Sequence, residues 1–407
     1  MAAQLFLPVV DKVLLQTLLT LFVVMVLVVG WQYKRLQRMS EGLFYIEKNI
    51  YLRSTVTSTL FGIAGGILGS LLLLLFGIDL SGMGIVYLFI VAILLMLFHP
   101  RFLCFAYAGG LLCLSNILFG VPHIAVPQLL GLVAVLHMVE SVLILVSGHL
   151  DPIPVYVRRN DGPVVGGFNL QKFWPIPLVA VMSAAGVESS GITFSTPHWW
   201  PLMKTYTEMA PEAGYALLPV LAILGYGEVA TTAAPRVKAR YSARNLFVFS
   251  LVLLFLAVLA SHYPALSILP AVFAPLGHEL VLWIGLKTES LGEPIFVMPE
   301  TGVMILDVLP GSLAAVAGLA SGDVVVSVNG VVVSNRRELQ HILQFTWGRL
   351  NLEVRRGQQT RYFSVQKRPR EVLGIILVPE SSADRYLSFA GDSRLARVVS
   401  LFRRPRV

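Results

Sequence analysis

The pattern of hydrophobic and polar residues along the chain changes near Gly285. Before that point, long apolar runs have the roughly 20 residues that an α-helix needs to cross the hydrocarbon of a bilayer. After it, as far as Val378, short apolar stretches alternate with polar residues between Gly, Pro and Asn turns, which is typical of a small β-rich domain. We therefore predict a multi-span region at 1–285, a soluble domain at 286–380 and a basic tail at 381–407.

Nine apolar segments are candidate membrane spans, and they lie at about 13–33, 54–78, 83–99, 102–121, 127–149, 175–192, 212–234, 245–262 and 264–285. The sixth is the weakest because its apolar run ends near Gly186, and the ninth is weakened by three prolines and an adjacent His and Glu. The expected fold class is an α-helical polytopic membrane bundle of about eight or nine spans, followed by a small β-rich (α+β) domain.

Basic residues in the connections predict the orientation, because Lys and Arg are enriched on the cytoplasmic side of membrane proteins. Alternate connections carry thirteen of them, namely Lys34, Arg35, Arg38, Lys48, Arg53, Arg101, Arg158, Arg159, Lys172, Arg236, Lys238, Arg240 and Arg244. The opposite side carries two, Lys12 and Lys204. With nine spans, the N-terminus would face outwards and the soluble domain would face the cytoplasm. A re-entrant ninth segment would instead place the domain outside, although the arginines of the domain and tail favour the inside.

Composition supports a multi-pass protein of the cell membrane. The chain is 56% hydrophobic and 13% charged, with a mean hydropathy of +0.75, which excludes an ordinary soluble protein. The first apolar run, Val13 to Gly30, is too long for a cleaved signal and is expected to be a retained span. The two cysteines, Cys104 and Cys113, lie in one apolar segment and are expected to be small packing residues, with no disulfide framework and no thiolate metal site.

The tail offers a second membrane contact. Segment 393–404 places four arginines among apolar residues at helical spacing, so it could lie on an anionic inner leaflet of the lipid bilayer. A basic tail without fixed structure is the alternative.

Ionisable residues within the apolar segments are candidates for function, because they are costly at bilayer depth. The candidates singled out here are His137, Glu140, Glu228, His278 and Glu279. One hypothesis is a polar cluster that serves as a metal site or a proton relay, and the other is a set of interhelical hydrogen bonds that stabilise the bundle.

A zinc protease is not supported by these residues. Its His-Glu-x-x-His motif places two imidazoles on one helical face with a glutamate as general base. Here His278 and Glu279 are followed by Leu282 and Trp283 where the second histidine would be needed. We therefore predict no catalytic residue, no metal and no cofactor.

A short β-hairpin is expected before the sixth segment. Residues 153–159 alternate apolar side chains, and residues 166–175 begin with Gly166-Gly167 and end with Phe173 and Trp174, which we expect to anchor the hairpin near the inner membrane face. It could contact the soluble domain or simply connect two spans.

The soluble domain contains a strand from Gly302, a Pro310-Gly311 turn, a short Ala-rich helix and a second strand that ends at Asn329-Gly330. This run resembles the bacterial, circularly permuted PDZ domain. The resemblance implies a domain that captures an extended peptide as an added strand.

The groove of such a domain needs a loop of free amides beside a helix. Leu373, Gly374, Ile375 and Ile376 have the apolar-Gly-apolar pattern of the loop, and the segment 292–296 is a less favoured alternative because Pro294 lacks an amide hydrogen. The other wall would be a helix that carries Leu339, Ile342 and Leu343, capped by Ser334 or Asn335. These three apolar residues could also be ordinary core.

Taken whole, the chain resembles the MinJ family, the polytopic topological determinants of cell division in Gram-positive rods. The strings that carry the resemblance are Gly166-Gly167-Phe168 through Trp174-Pro175, Pro275 to Glu279, and Leu373 to Ile376. It implies a membrane-anchored scaffold that links DivIVA-like and MinD-like division proteins, acts in septum placement and catalyses no reaction. Two other classes stay open: a relative of intramembrane site-2-type metalloproteases, and a transporter regulated by its PDZ domain.

Overall fold

The structure is a computed structural model that describes residues 2–44, 51–158, 162–184, 197–204, 214–380 and 387–388. The tail segment 393–404 lies outside them. Among the described residues, seven α-helices precede the C-terminal domain: α1 Ala2–Phe44, α2 Tyr51–Phe76, α3 Ile85–Phe98, α4 Phe105–Phe119, α5 Val126–Ser147, α6 Pro235–His262 and α7 Ile268–Leu291. Within the described residues, five helical segments are long and apolar enough to cross a membrane: Gln16–Arg38, Tyr51–Phe76, Val126–Ser147, Pro235–His262 and Pro264–Leu291.

Helices α3 and α4 are shorter than the others. At 14 and 15 residues they are about 21 and 22 Å long, whereas the hydrocarbon of a bilayer is roughly 30 Å thick. Cys104, directly after the turn at Pro100–Leu103, contacts His137 in the middle of α5, so the turn lies beside the middle of that longer helix.

The prediction of helices at the sixth and seventh segments is wrong. Their described residues belong to two long antiparallel strands, β2 Val164–Ala184 and β3 Gly214–Ala230, which pair from Phe168↔Ala230 to Ala184↔Gly214. Pro175, Pro177 and Pro219 lie inside these strands, and a helix would lose hydrogen bonds and gain clashes at each. Hydropathy alone does not separate a buried strand from a buried helix, which is why the segments were predicted as spans.

The predicted short hairpin is confirmed as the start of this sheet. Strand β1 Ile153–Arg158 pairs antiparallel with β2, and β10 Leu387–Ser388 pairs parallel with β1, which gives the order β10-β1-β2-β3. Trp174 is not an interface anchor, however. It is fully buried, and its Nε1 donates to Ser147 Oγ at the end of α5, 3.1 Å away.

Helix α2 covers the edge of β2 that β3 leaves free. Gly62 and Gly66 face the carbonyl oxygens of Pro175 and Pro177 so closely that a Cβ at either glycine would collide with them. Such an approach is available to glycine alone and permits Cα–H···O contacts. The glycines of α2 therefore allow the backbone of β2 to pack directly against the helix.

Side chains of α1, of α2 and of the segment after α2 accept hydrogen bonds from the backbone amides along this edge of β2. Phe173 N donates to Tyr33 Oη at 3.1 Å, and Val179 N donates to Ser70 Oγ at 2.8 Å. Ser183 N donates to Asp79 Oδ1 at 3.0 Å. The alternate residues between the first two are prolines 175 and 177, which have no amide hydrogen to satisfy.

The β2–β3 hairpin runs the length of the helical region and returns. Trp174 contacts the last turn of α5, whereas Ser183 binds Asp79, just after α2 ends and before α3 begins. The hairpin thus enters and leaves at the same end, as two helices would.

The C-terminal domain has a sheet of order β8-β7-β5-β4-β9, with β6 paired to β5. Its strands are β4 Val303–Val308, β5 Val324–Val328, β6 Val331–Val332, β7 Gly348–Arg356, β8 Gln359–Lys367 and β9 Ile375–Leu377. Its helices are α8 Leu313–Ala317 and α9 Arg336–Phe345. Val303, Val325, Leu339, Leu350 and Val354 are fully buried between sheet and helices.

This domain packs on the sheet of the helical region rather than hanging from α7. Phe296, Leu306 and Ile376 belong to the same buried cluster as Phe168. Gly166 N donates to Phe296 O at 2.9 Å. One apolar core therefore continues from the helices through β1 and β2 into the C-terminal domain.

The close packing of β2 on the glycines of α2 leads to a specific prediction. Gly66→Leu should lower the melting temperature of the detergent-purified protein, because the side chain must displace the Pro177 carbonyl, and overpacking costs about 1–3 kcal/mol. Ala64→Leu, on the exposed face of the same helix, is the matched control and should leave the melting temperature nearly unchanged. Equal effects of the two changes would contradict this role for α2.

Candidate docking groove and buried polar groups

Strand β9 is the free edge of the C-terminal sheet within the described residues. Gly374 O accepts from Leu309 N at 2.9 Å and Val378 N donates to Met304 O at 3.0 Å, so these residues face β4. Because backbone groups alternate sides along a strand, those of Ile375 and Leu377 face away from β4. They form the edge to which a further strand could be added.

The predicted loop residues precede this edge. Gly374 has φ of 79°, in the left-handed region that favours glycine, and a Cβ there would collide with Ser312. Leu373 is buried and its carbonyl accepts from Ala314 N at 2.9 Å. The loop is therefore held on α8 in a fixed conformation. Ile376 points to the opposite side from Ile375, into the contact with the helical region.

Helix α9 lies beyond the edge, and its cap is the predicted Asn335. Asn335 Oδ1 accepts from Glu338 N at 2.9 Å, and Glu338 Oε2 accepts from Ser334 N at 2.8 Å, which makes a reciprocal capping arrangement. Leu339 is fully buried in the domain core, whereas Ile342 and Leu343 are partly exposed. The last two are thus the predicted wall residues with surface available to a ligand.

Tyr156 of β1 closes one end of this edge. Its hydroxyl donates to Leu377 O at 2.7 Å and accepts from Arg336 Nη1 at 3.0 Å. Burial raises the pKa of the Tyr156 hydroxyl while Arg336 lowers it, and the donated hydrogen bond requires the protonated form. The carbonyl of Leu377 is therefore already occupied by the helical region.

Two of the predicted buried groups come together. His137 in α5 and His278 in α7 have ring centroids 5.3 Å apart, and the Nε2 atoms of both contact Cys104 Sγ. Glu140 interacts electrostatically with Cys104 and makes no hydrogen bond or ion pair within the described part of the chain. Sequence analysis predicted Cys104 to be a packing residue, and the structure places it between the two imidazoles.

Glu279 points elsewhere, to the turn between α3 and α4. Its carboxylate accepts from Tyr107 Oη at 2.6 Å and lies 3.3 Å from Arg101 Nη1. Both ionic side chains are about two-fifths exposed, at 41% for Arg101 and 42% for Glu279. This pair therefore lies at the turn between α3 and α4 and is partly exposed.

Glu228 belongs to a third group, at the junction with the C-terminal domain. Lys238 Nζ lies 3.2 Å from Glu228 and 3.4 Å from Glu289, and it donates to Gly285 O at 3.3 Å. Glu289 also accepts from Thr231 N and Thr232 N, at 3.0 and 3.2 Å. The group joins the end of β3 to the start of α6 and the end of α7.

Sequence reasoning missed three of the buried charges: Asp79, Lys238 and Glu289 are 2%, 5% and 3% exposed. Lys238 was counted only as one of the thirteen basic residues that predict orientation. The available signal was its position just before an apolar run, ten residues after the carboxylate of Glu228. For Asp79 the available signal was its position as a lone acid between two apolar runs.

Comparison with known proteins gives matches to both parts of the chain. A PDZ-domain family model matches residues 304–356. The cell division topological determinant MinJ of Bacillus subtilis (strain 168) is 24% identical over 237 residues, which are 58% of this chain and 56% of MinJ. The chain thus spans little more than half the length of that relative. These matches show a MinJ-like chain that carries a PDZ domain after its helical region.

Other matches cover the PDZ domain alone. Serine protease HTRA1 of Xenopus laevis is 33% identical over 88 residues, which are 21% of this chain and 18% of that protein. The PDZ domain of the SdrC-like protein from Listeria monocytogenes is 18% identical with a TM-score of 0.18, and the match covers 20% of this chain and 90% of that one. The similarity to serine proteases therefore does not extend to a catalytic domain.

The group around Lys238 should be important for stability. Lys238→Met leaves two largely buried carboxylates without their cation, and breaking a buried ion pair costs about 3–5 kcal/mol. We expect a clear fall in the melting temperature of the full-length protein in detergent. Arg240→Met, an exposed position on the same helix, removes the same charge and should have little effect; a similar fall for both would refute the assignment.

Proposed function

We propose that the protein is a membrane-held adaptor that docks protein partners through its PDZ domain and catalyses no reaction of its own. The observation that carries the proposal is the free edge of β9 beside α9, preceded by the glycine loop at Gly374. Strand addition at such an edge gives affinity through backbone hydrogen bonds, and adjacent pockets select the side chains.

The chemistry of the groove defines a ligand. Ile375 and Leu377 present backbone groups to a docked strand, and Ile342 and Leu343 present apolar surface to its side chains. A peptide that ends in a free carboxylate would place that group against the amides of the Gly374 loop. Because Tyr156 already binds Leu377 O, the groove suits a short peptide of few residues.

The helical region is proposed to span the cell membrane several times. Its helices expose large apolar side chains such as Leu71, Val86 and Leu97, at 60%, 70% and 59%, and such a surface is unfavourable in water. The alternation of basic connections supports an outward N-terminus, and with the hairpin crossing and returning, it supports a cytoplasmic PDZ domain.

The partners are proposed to be cell-division proteins. The similarity to MinJ supports DivIVA-like and MinD-like proteins as candidates, and it supports a part in septum placement. The tail segment 393–404 is proposed to add a contact with the anionic inner leaflet.

Peptide binding tests the adaptor proposal. Full-length protein in detergent would be screened with a display library of C-terminal peptides, and selected peptides would be measured by fluorescence polarisation with free and with amidated C-termini. We expect amidation to weaken binding about tenfold or more, because hydrogen bonds to a charged group contribute about 1.5–3 kcal/mol. Selection of no peptide, or equal binding of both forms, would count against carboxylate docking.

Matched variants place the groove. Ile342→Lys should abolish binding because it puts a charge on the apolar wall. Tyr362→Lys, at a 78% exposed position on β8 at the opposite edge of the sheet, should bind as the unmodified protein does. In cells, Ile342→Lys alone should also lose recruitment of division proteins to the septum.

Orientation is tested by labelling single introduced cysteines in intact cells. His198→Cys lies beside the far end of the hairpin and should react with a membrane-impermeant maleimide. Val316→Cys lies on the PDZ domain, is 82% exposed, and should react only after the membrane is opened. The reverse pattern would place the PDZ domain outside and exclude cytoplasmic partners.

A further inference from the structure

Three helices of the helical region bring one thiol and two imidazoles together. Cys104 caps the start of α4, His137 lies in the middle of α5, and His278 lies in the middle of α7. Cys104 Sγ is 3.1 Å from His137 Nε2 and 3.4 Å from His278 Nε2. One ligand atom from each residue lies within 4.8 Å of the others.

These separations fit a single tetrahedral ion. Zinc lies about 2.3 Å from a thiolate sulfur and about 2.0–2.1 Å from an imidazole nitrogen, so a tetrahedral angle puts sulfur and nitrogen about 3.5 Å apart. The distances in the cluster are within a few tenths of an ångström of that value. Small rotations of the side chains would therefore suffice to admit the ion.

The orientation of His137 favours metal binding. Its Nδ1 lies 2.7 Å from Val133 O, and since a carbonyl only accepts, Nδ1 carries the proton. The lone pair is thereby left on Nε2, which faces Cys104. Many metal-binding histidines are fixed in this way by a hydrogen bond from the other ring nitrogen.

Aromatic rings hold both imidazoles in place. Phe249 packs edge-on against His137 and His278, with centroids 5.4 and 5.7 Å apart, and Tyr107 packs against His278 at 5.2 Å. His278 Nδ1 is buried with no hydrogen-bond partner among the described residues. With an ion bound at Nε2, this Nδ1 would carry the ring proton.

We infer that Cys104, His137 and His278 form a zinc site inside the helical region. The bound ion takes the thiol as thiolate, and the released proton passes to solvent. One thiolate leaves a zinc ion with a net charge of about +1, and Glu140 is the acidic residue one turn after His137 on α5. The Arg101–Glu279 pair, joined to the cluster by Tyr107, is balanced on its own.

The position of the site indicates a structural role. The ion ties α7 to α4 and α5, and α7 is the helix from which the chain passes into the PDZ domain. Zinc would thus stabilise the helix that leads into the PDZ domain. The inference does not depend on the proposed docking function.

Metal analysis of the full-length protein tests the site. Protein purified in detergent without chelator should contain about one zinc per chain by mass spectrometry. Cobalt substituted for zinc should give a thiolate-to-cobalt charge-transfer band in the visible and near-ultraviolet spectrum. Cys104→Ser and His137→Gln should lose the zinc, and Cys104→Ser should lose the band.

Cys113→Ser is the matched control, because Cys113 is a buried cysteine of the same helix outside the cluster. It should retain both zinc and the cobalt band. Chelation should lower the melting temperature of the unmodified protein and of Cys113→Ser. Zinc far below one per chain together with no cobalt band would overturn the inference, and so would zinc that persists in Cys104→Ser. Should that variant fail to fold, the cobalt spectrum of the unmodified protein decides.

Discussion

The free backbone edge of β2 is the constraint on which the arrangement of the helical region depends. A strand edge without partners in apolar surroundings leaves each exposed amide and carbonyl at a cost of several kcal/mol. Here α2 brings glycines against two carbonyls, and Ser70 and Tyr33 accept two amides. Prolines at positions 175 and 177 remove the remaining donors between them. The glycines, the two hydroxyl groups and the prolines thus together leave few backbone groups of this edge without a partner.

This solution determines where the PDZ domain sits. Because β2 is fixed against α2, its first residues present Phe168 and Gly166 at the end of the bundle, where Phe296 and Leu306 pack. The ion pairs of Lys238 with Glu228 and Glu289 connect β3 to the end of α7, from which the chain passes into the PDZ domain. The domain is therefore attached through its contact with β2 as well as through the chain that leaves α7. Its orientation thus depends on the β2–β3 hairpin.

The sequence predicted the PDZ domain well because its signals are local. The Pro310-Gly311 turn and the Asn335 cap each act within a few residues, and both are found where expected. The β2–β3 hairpin was not predicted because an apolar run of about 20 residues is compatible with either a membrane span or a long buried strand. Prolines 175 and 177 were the local evidence against a helix, and hydropathy outweighed them. His137 and His278 were candidates for a polar cluster, whereas Cys104, which lies 33 and 174 residues from them in the sequence, was predicted to be a packing residue.

Tyr156 connects the two halves of the molecule at the point where a ligand would bind. A longer peptide needs the carbonyl of Leu377, and it can take that carbonyl only by displacing the tyrosine hydroxyl. That displacement would also free Arg336 and loosen the contact of β1 with the PDZ domain. A ligand can shift such an equilibrium only by its differential affinity for the two states. A short peptide leaves the contact intact, whereas a long one gains a backbone hydrogen bond only at the expense of one that orients the domain.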